Sequence, residues 1–430
     1  MRLISCLTVL LVTTVACAKR EDTALAAAPS KYLYVWAGDS AGTASDFLAV
    51  IDADQASPKY GSVLTSLPTG VSGTHPHHTE AEMPSTGHLL ANGFHAGRTW
   101  LFDLTNPLAP KVITEFGDLA GYSHPHTFLR LSNGNVLATY QYKADATTKT
   151  AEGMEHMPEM TGMMFGTPHT TGGLVEMDER GTVVRSGSAA DASIADKRIY
   201  PYSVIELRAA NRAVSTTTDM DHGDTVATAE WVQFWRLSDL TLLKSIALTP
   251  GPRGDEHKLS GEPHLLADGK SVYIHTFSCG LYLVRGVESD TPSATFVKGF
   301  QGTGCGVPIR TGHWWLQPVP EAHALVVLDI ADPAHPREVS KVTLSDDEGP
   351  HWIALDPTGT RVVLNAGGPS AKRPGNRVYV IDFDRVTGKV ALDTRFKDAG
   401  SDRAGISMNA RQWPHGWTGT AAPHGAVFAR

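Results

Sequence analysis

Cysteine is scarce: the chain has four in 430 residues, and two of them, Cys6 and Cys17, fall within the first twenty. A small scaffold stapled by several disulfides is thereby excluded. Positive charge is also in deficit, with 37 Lys and Arg against 45 Asp and Glu and a formal net charge of −8. That balance argues against a surface built to hold nucleic acid. Glycine and proline, at 41 and 26, are too few for a collagen-like or low-complexity chain. No segment approaches the ~18 consecutive apolar residues of a membrane span, and no stretch sustains a helical 3.6-residue period. Gly-x-Ser-x-Gly, Walker and His-Glu-x-x-His motifs are all missing, so nucleophilic hydrolase and nucleotide chemistry have no support.

The first residues read as a targeting segment. Met1 and Arg2 lead into an apolar run from Leu3 to Ala16, too short for a permanent bilayer span. Ala16-Cys17-Ala18 fits a signal-peptidase site, whereas Thr14-Val15-Ala16-Cys17 resembles a bacterial lipobox with Thr14 in the usual place of Leu. Both readings stay open. Both predict export to the periplasm, with a lipid on Cys17 as the only membrane contact in the second. Residues 1–18 are therefore expected to be a signal peptide, 19–30 a flexible tether, and 31–430 one folded unit.

Internal repetition sets the architecture of that unit. Alternating apolar runs ending in a polar residue and a turn recur seven times. They begin at Phe47, Thr99, Gly173, Val232, Leu281, Leu325 and Val378. Period-two alternation with β-branched and aromatic residues means strands, and Asn-Pro, Asp-Pro and Thr-Gly mean turns. Further strand pairs precede most of these hairpins, as at Phe128 to Thr139 and Leu265 to Ile274. Four strands repeated at ~40–50 residues predict an all-β, seven-bladed β-propeller. The terminal segment Pro423 to Phe428 is expected to be an innermost strand completed by outer strands from the start of the unit, closing one blade.

Seven of the 19 histidines directly follow proline: His77, His126, His169, His264, His351, His415 and His424. His77 with His78, His126, His264, His351 and His424 each fall where a blade's first strand begins; the starts near Pro201-Tyr202 and Pro308-Ile309 carry none. First strands line the central channel of a propeller, and proline fixes the backbone just before the imidazole. Several neutral imidazoles converging on one axis make a ligand set for Cu, Zn or Fe. The plainer alternative is that Pro-His is only a blade-start sequence with rings bonded to neighbouring loops. Glu80, Glu262, His124 and His415 are candidates for orienting the ligand rings. Trp352 and Trp413 flank histidines and are candidates for walls. His95, His275 and His313 lie later in their blades and are not expected at the axis.

An insertion at about 142–170 holds Met154, Met157, Met160, Met163 and Met164 with His156 and His169. It reads either as a packed lid or as a soft-ligand loop that recruits Cu(I). Cys279 and Cys305 are expected to be one disulfide or two buried thiols.

Asp46-Phe-Leu-Ala-Val-Ile-Asp-Ala-Asp-Gln-Ala-Ser-Pro-Lys-Tyr-Gly, the pair His77-His78, His126-Thr127 and the Gly172-Gly173-Leu-Val strand resemble segments of the selenium-binding protein and methanethiol oxidase family. The resemblance covers about residues 46 to 180. It implies a seven-bladed propeller and, in exported bacterial oxidases, copper acting with a small thiol and O2. The implied reaction converts methanethiol, O2 and water to formaldehyde, hydrogen sulfide and hydrogen peroxide, with His77, His78 and His126 as catalytic residues. The Cys-rich segment expected after the His-His pair is absent. Leu129 stands where the family has a second His, and His124 lies upstream instead. A non-haem iron oxygenase and a non-catalytic metal- or selenium-binding propeller are the alternatives.

Overall fold

The computed structural model describes residues 28–144, 170–220, 229–367 and 375–430. The export signal with Cys17, most of the expected tether, and the Met-rich insertion with His156 and His169 lie outside the described residues. Within them the chain forms seven antiparallel four-stranded sheets, six of them with their strands in sequence order, plus small additions. Their innermost strands are Pro76–Thr79, Tyr122–Arg130, Pro201–Leu207, Ser260–Leu265, Ile309–Thr311, Pro350–Leu355 and Ala421–Phe428. The fold is a seven-bladed β-propeller. We number the blades by these strands, one to six along the chain, with the closing blade seventh.

The seventh blade joins the two ends of the folded unit. Strands Tyr32–Asp39, Ser45–Asp52 and Val63–Ser72 supply its outer part, and Ala421–Phe428 pairs antiparallel with Tyr32–Asp39 as its innermost member. No edge is left open between first and last blades, which removes a site of intermolecular strand pairing.

Alternation explains how each blade holds two neighbours. Leu33, Val35 and Phe47 of the seventh blade pack with Trp352, Val363 and Val380 of the sixth. The intervening Tyr34 and Trp36 turn to the other face and pack with Leu89, Trp100 and Phe102 of the first. Successive side chains point to opposite faces, so one strand feeds two interblade cores. The Cys279–Cys305 disulfide, with Cα atoms 5.1 Å apart, ties a turn of the fourth blade to the chain entering the fifth.

Arg361 fastens the closure from the sixth blade. It is buried, donates to the carbonyls of Ala53 and Ser30 at 2.7 Å each, and pairs with buried Asp356 at 3.2 Å. Arg361→Met would strand the Asp356 carboxylate without its cation, a loss expected to cost about 3–5 kcal/mol. Urea unfolding of that variant should show the lower midpoint. Adding Asp356→Asn should recover part of it, and no recovery would mean the carboxylate is not the cause.

Candidate metal centre

One slot of the propeller repeats around the axis, and strand register defines it. In the first, second, third, sixth and seventh blades a proline of the innermost strand pairs with the neighbouring strand and a bulge follows it directly; in the first, third and sixth that proline also opens the pairing. The next residue in each case is His77, His126, Tyr202, His351 or His424. A bulge inserts an extra residue and re-aims the side chain beside it.

These slots bring the imidazoles together. The His77 ring lies 4.1 Å from that of His424, 4.8 Å from His126 and 4.2 Å from His78, on which it stacks. His78 is 4.4 Å from His126, and His351 is 4.8 Å from His424. One ring nitrogen from each of His77, His78 and His126 lies within 4.8 Å of the others. Gly425 permits the close approach of the seventh blade, because a Cβ there would stand 2.9 Å from the His77 carbonyl and 2.6 Å from the Thr79 nitrogen. Aromatic rings wall the group: Trp352 is 4.8 Å from His78, Tyr202 4.0 Å from His126, and Phe277 stacks on His351 at 6.1 Å.

Burial and hydrogen bonding show what state these rings are in. Desolvation, reinforced by mutual repulsion, holds His77, His78 and His424 well below the ordinary imidazole range. Desolvation alone takes His126 to about 3, despite a main-chain hydrogen bond, and His351 to about 4. All are neutral at pH 7 and keep a lone pair. His126 Nδ1 lies 2.8 Å from the Tyr202 carbonyl; a carbonyl only accepts, so Nδ1 carries the proton and Nε2 the lone pair. That Nε2 is buried without a partner, as are His77 Nδ1 and His424 Nδ1. An unpaired buried acceptor costs roughly 1–3 kcal/mol, and three together fit a cation better than a core. Neutral imidazole donors suit Cu, Zn and Fe alike.

Not every expected residue joins the cluster. His264 points at Trp315, 5.1 Å away and edge-on, and makes a main-chain hydrogen bond to Pro308. In the fourth blade Ser260 opens the pairing opposite Thr276, and the bulge precedes Pro263. Pro-His has slid three residues along the strand, past the bulge, so His264 pairs opposite Tyr273 instead of filling the slot. Gly261 therefore occupies the repeated slot. The His275 ring from the second strand covers it, and a Cβ on Gly261 would fall 2.1 Å from His275 Cε1.

Glu80 does not orient an imidazole. It takes Arg130 Nε at 2.6 Å and the Leu90 N–H at 2.9 Å, outside the cluster. His415 bonds Ser66 Oγ at 2.7 Å and packs on Phe47, in a hairpin against the seventh blade. His124 meets Ser123 Oγ at 2.8 Å and the Phe94 ring. Trp413 likewise packs on Phe47 and not on a cluster histidine. Glu262 lies beside the cluster with its Oε2 3.8 Å from His275 Nδ1; burial pushes its carboxyl up to about 8.

Tyr202 and His275 are the site residues that the sequence pattern did not single out. Tyr202 follows Pro201 and so fills the same slot as the histidines, with its hydroxyl 3.3 Å from His78 Nε2. Position after the blade-opening proline, without regard to residue type, would have found it. His275 sits on a second strand, and only the empty side of Gly261 announces it.

The fold and this axis define a class: a seven-bladed β-propeller with a buried cluster of neutral imidazoles at its centre. Over 142 residues the chain is 36% identical to the methanethiol oxidase of Hyphomicrobium, covering 32% of this chain and 31% of that protein. Over 134 residues it is 33% identical to selenium-binding protein 2 of Arabidopsis thaliana, 27% of each chain. It is a distant relative of these proteins, and the match spans about a third or less of their length. No family model matches the sequence. Among solved structures, a hypothetical selenium-binding protein from Sulfolobus tokodaii superposes with a TM-score of 0.67 over 94% of both chains at 14% identity. The periplasmic gluconolactonase of Pseudomonas aeruginosa shares the propeller at a TM-score of 0.57 and 16% identity, over 93% of this chain and 99% of that one.

Proposed function

We propose that the chain is a copper-dependent oxidase of small sulfur compounds. Its substrates would be methanethiol, O2 and water, and its products formaldehyde, hydrogen sulfide and hydrogen peroxide. One observation carries the reading. Buried, neutral imidazoles with unpaired nitrogens converge in a chain related to a methanethiol oxidase. His77, His78 and His126 would hold the metal, with His424 and His351 beside them. When bound, copper would supply one-electron redox chemistry and favour the thiolate form of a coordinated thiol.

The chain's own residues supply the rest. The Tyr202 carbonyl fixes the His126 tautomer, so Nε2 keeps its lone pair for the cluster. Trp352, Tyr202 and Phe277 keep water from the imidazoles and leave a small apolar substrate favoured over a large polar one. Tyr202 keeps its phenolic proton, because burial and the neighbouring Glu262 raise it well above the ordinary value. The Tyr202 hydroxyl oxygen stands 3.3 Å from His78 Nε2.

Export belongs to the same proposal. The Cys279–Cys305 disulfide suits an oxidising compartment, in keeping with the periplasmic address expected of residues 1–18.

The test is metal replacement on untagged full-length protein. Metal-free protein loaded in turn with Cu(II), Fe(II) or Zn(II) would be given methanethiol and O2, and sulfide and peroxide measured. Turnover with copper alone is expected, since zinc has no redox couple. Turnover with iron alone would identify an iron oxygenase, and none with any metal would leave a binding protein.

A further inference from the structure

Next to the buried cluster stands a second group of histidines with a different exposure. His95 is exposed, His75 is half-buried and His77 is buried. Their rings step inward in that order, 4.1 Å from His95 to His75 and 5.7 Å from His75 to His77. His75 Nδ1 and His95 Nε2 face each other at 3.0 Å. Phe94 packs under the group, 5.9 Å from His77 and 5.7 Å from His126.

The backbone marks the same place. His75 has φ +57° and His124 has φ +60°. Each directly precedes the proline of a slot, Pro76 or Pro125, on adjacent blades. The left-handed region costs a non-glycine residue roughly 1–2 kcal/mol. A following proline restricts that residue further. Such a conformation persists only where the surroundings hold it, and it clusters at functional positions. In His75 it sets the ring between His95 outside and His77 inside.

We infer that His95 and His75 form an entry site for a transition-metal cation, which passes from them to the buried imidazoles. The inference rests on the metal reading proposed above. Two M–N bonds of ~2.0–2.1 Å at a tetrahedral angle separate their nitrogens by ~3.3 Å, so the facing pair need open by only a few tenths of an ångström. The pair offers two facing imidazoles against at least three in the cluster within, which makes it the weaker site. Transfer is then a ligand exchange in which His77 displaces water while His95 lets go. A direct path would instead require a hydrated cation to shed its whole shell in one step.

Loading kinetics test it. Metal-free full-length protein is mixed with Cu(II), and tryptophan fluorescence is followed, because Trp352 lies 4.8 Å from His78. His95→Ala and, separately, His75→Asn are compared with the parent; asparagine tolerates the left-handed conformation better than most residues. Each should slow loading severalfold and leave final occupancy and affinity unchanged. Two exposed or half-exposed sites give two chances of a folded variant, and a cooperative melt checks each. Rates equal to the parent's in both variants would overturn the entry site. Loss of final occupancy in either would also overturn it, by making that residue a permanent ligand of the cluster. A parent protein that never takes up Cu(II) overturns the metal reading itself, and with it this one; the parent trace alone distinguishes that case.

Discussion

Replacing His126 with alanine is expected to lower the chain's affinity for Cu(II) by at least about a hundredfold, the upper end of what loss of an outer partner costs. Methanethiol oxidation should fall with it. His126 contributes the unpaired Nε2, and its Nδ1 is fixed by the Tyr202 carbonyl. The side chain is fully buried but faces other imidazoles, not an apolar core. The variant should therefore unfold cooperatively, with a melting temperature in the metal-free state near the parent's or above it. Removing an unpaired buried acceptor relieves its desolvation penalty, which offsets part of the cavity left behind. Copper titration with a competing chelator reads the affinity, and calorimetry of the metal-free protein reads the fold. Unchanged affinity would remove His126 from the ligand set.

The second large effect is acid sensitivity of the metal-free protein. His126 and His275 titrate at about 3 when folded, and His264 and His351 at about 4, each chiefly because burial penalises the imidazolium. His77, His78 and His424 move the same way. In the unfolded chain all return to about 6.5. Between these limits the unfolded state binds more protons, so stability is complete above about pH 6.5 and is lost as pH falls.

Each group costs about 1.4 kcal/mol per pH unit through that window. Glu262 works in the opposite direction. Its carboxyl holds a proton up to about pH 8 when folded but only to about 4.3 when unfolded, which offsets roughly one histidine. Three uncompensated imidazoles would still remove about 8–13 kcal/mol within two to three units, comparable to the ~5–15 kcal/mol of an ordinary protein. Acid unfolding is expected to begin below pH 6 and to be complete above pH 4. Copper, which binds only the neutral rings, should move the midpoint to lower pH; ~1,000-fold excess over its dissociation constant adds about 4 kcal/mol. A midpoint independent of copper would separate the histidines that titrate from any that bind metal.

How far the chain could be read without coordinates differs from residue to residue. The repeated hairpins and the lone strand at Pro423 to Phe428 carry the propeller and its closure, because strand alternation is a local property with a fixed period. Pro-His at the start of an innermost strand is equally local, so His77, His126, His351 and His424 could be placed on one axis from their spacing. His264 carries the same dipeptide and lies elsewhere. Its place depends on where the bulge falls, between Ser260 and Pro263 instead of after the proline, and the bulge is set by pairing with the second strand. Glu80 was near a histidine pair in sequence, yet Arg130 from the next blade claims it.

The sequence by itself therefore determined the blade count, the circular closure and the residue type that lines the axis, since each follows from period, turn chemistry and composition. Only the tertiary structure decided which imidazoles meet, that His275 fills the space left by Gly261, and that His95 and His75 stand outside as a separate pair. Those facts depend on strand register and on contacts between blades. A one-residue slip reverses the face of every side chain after it, and no local pattern records the slip.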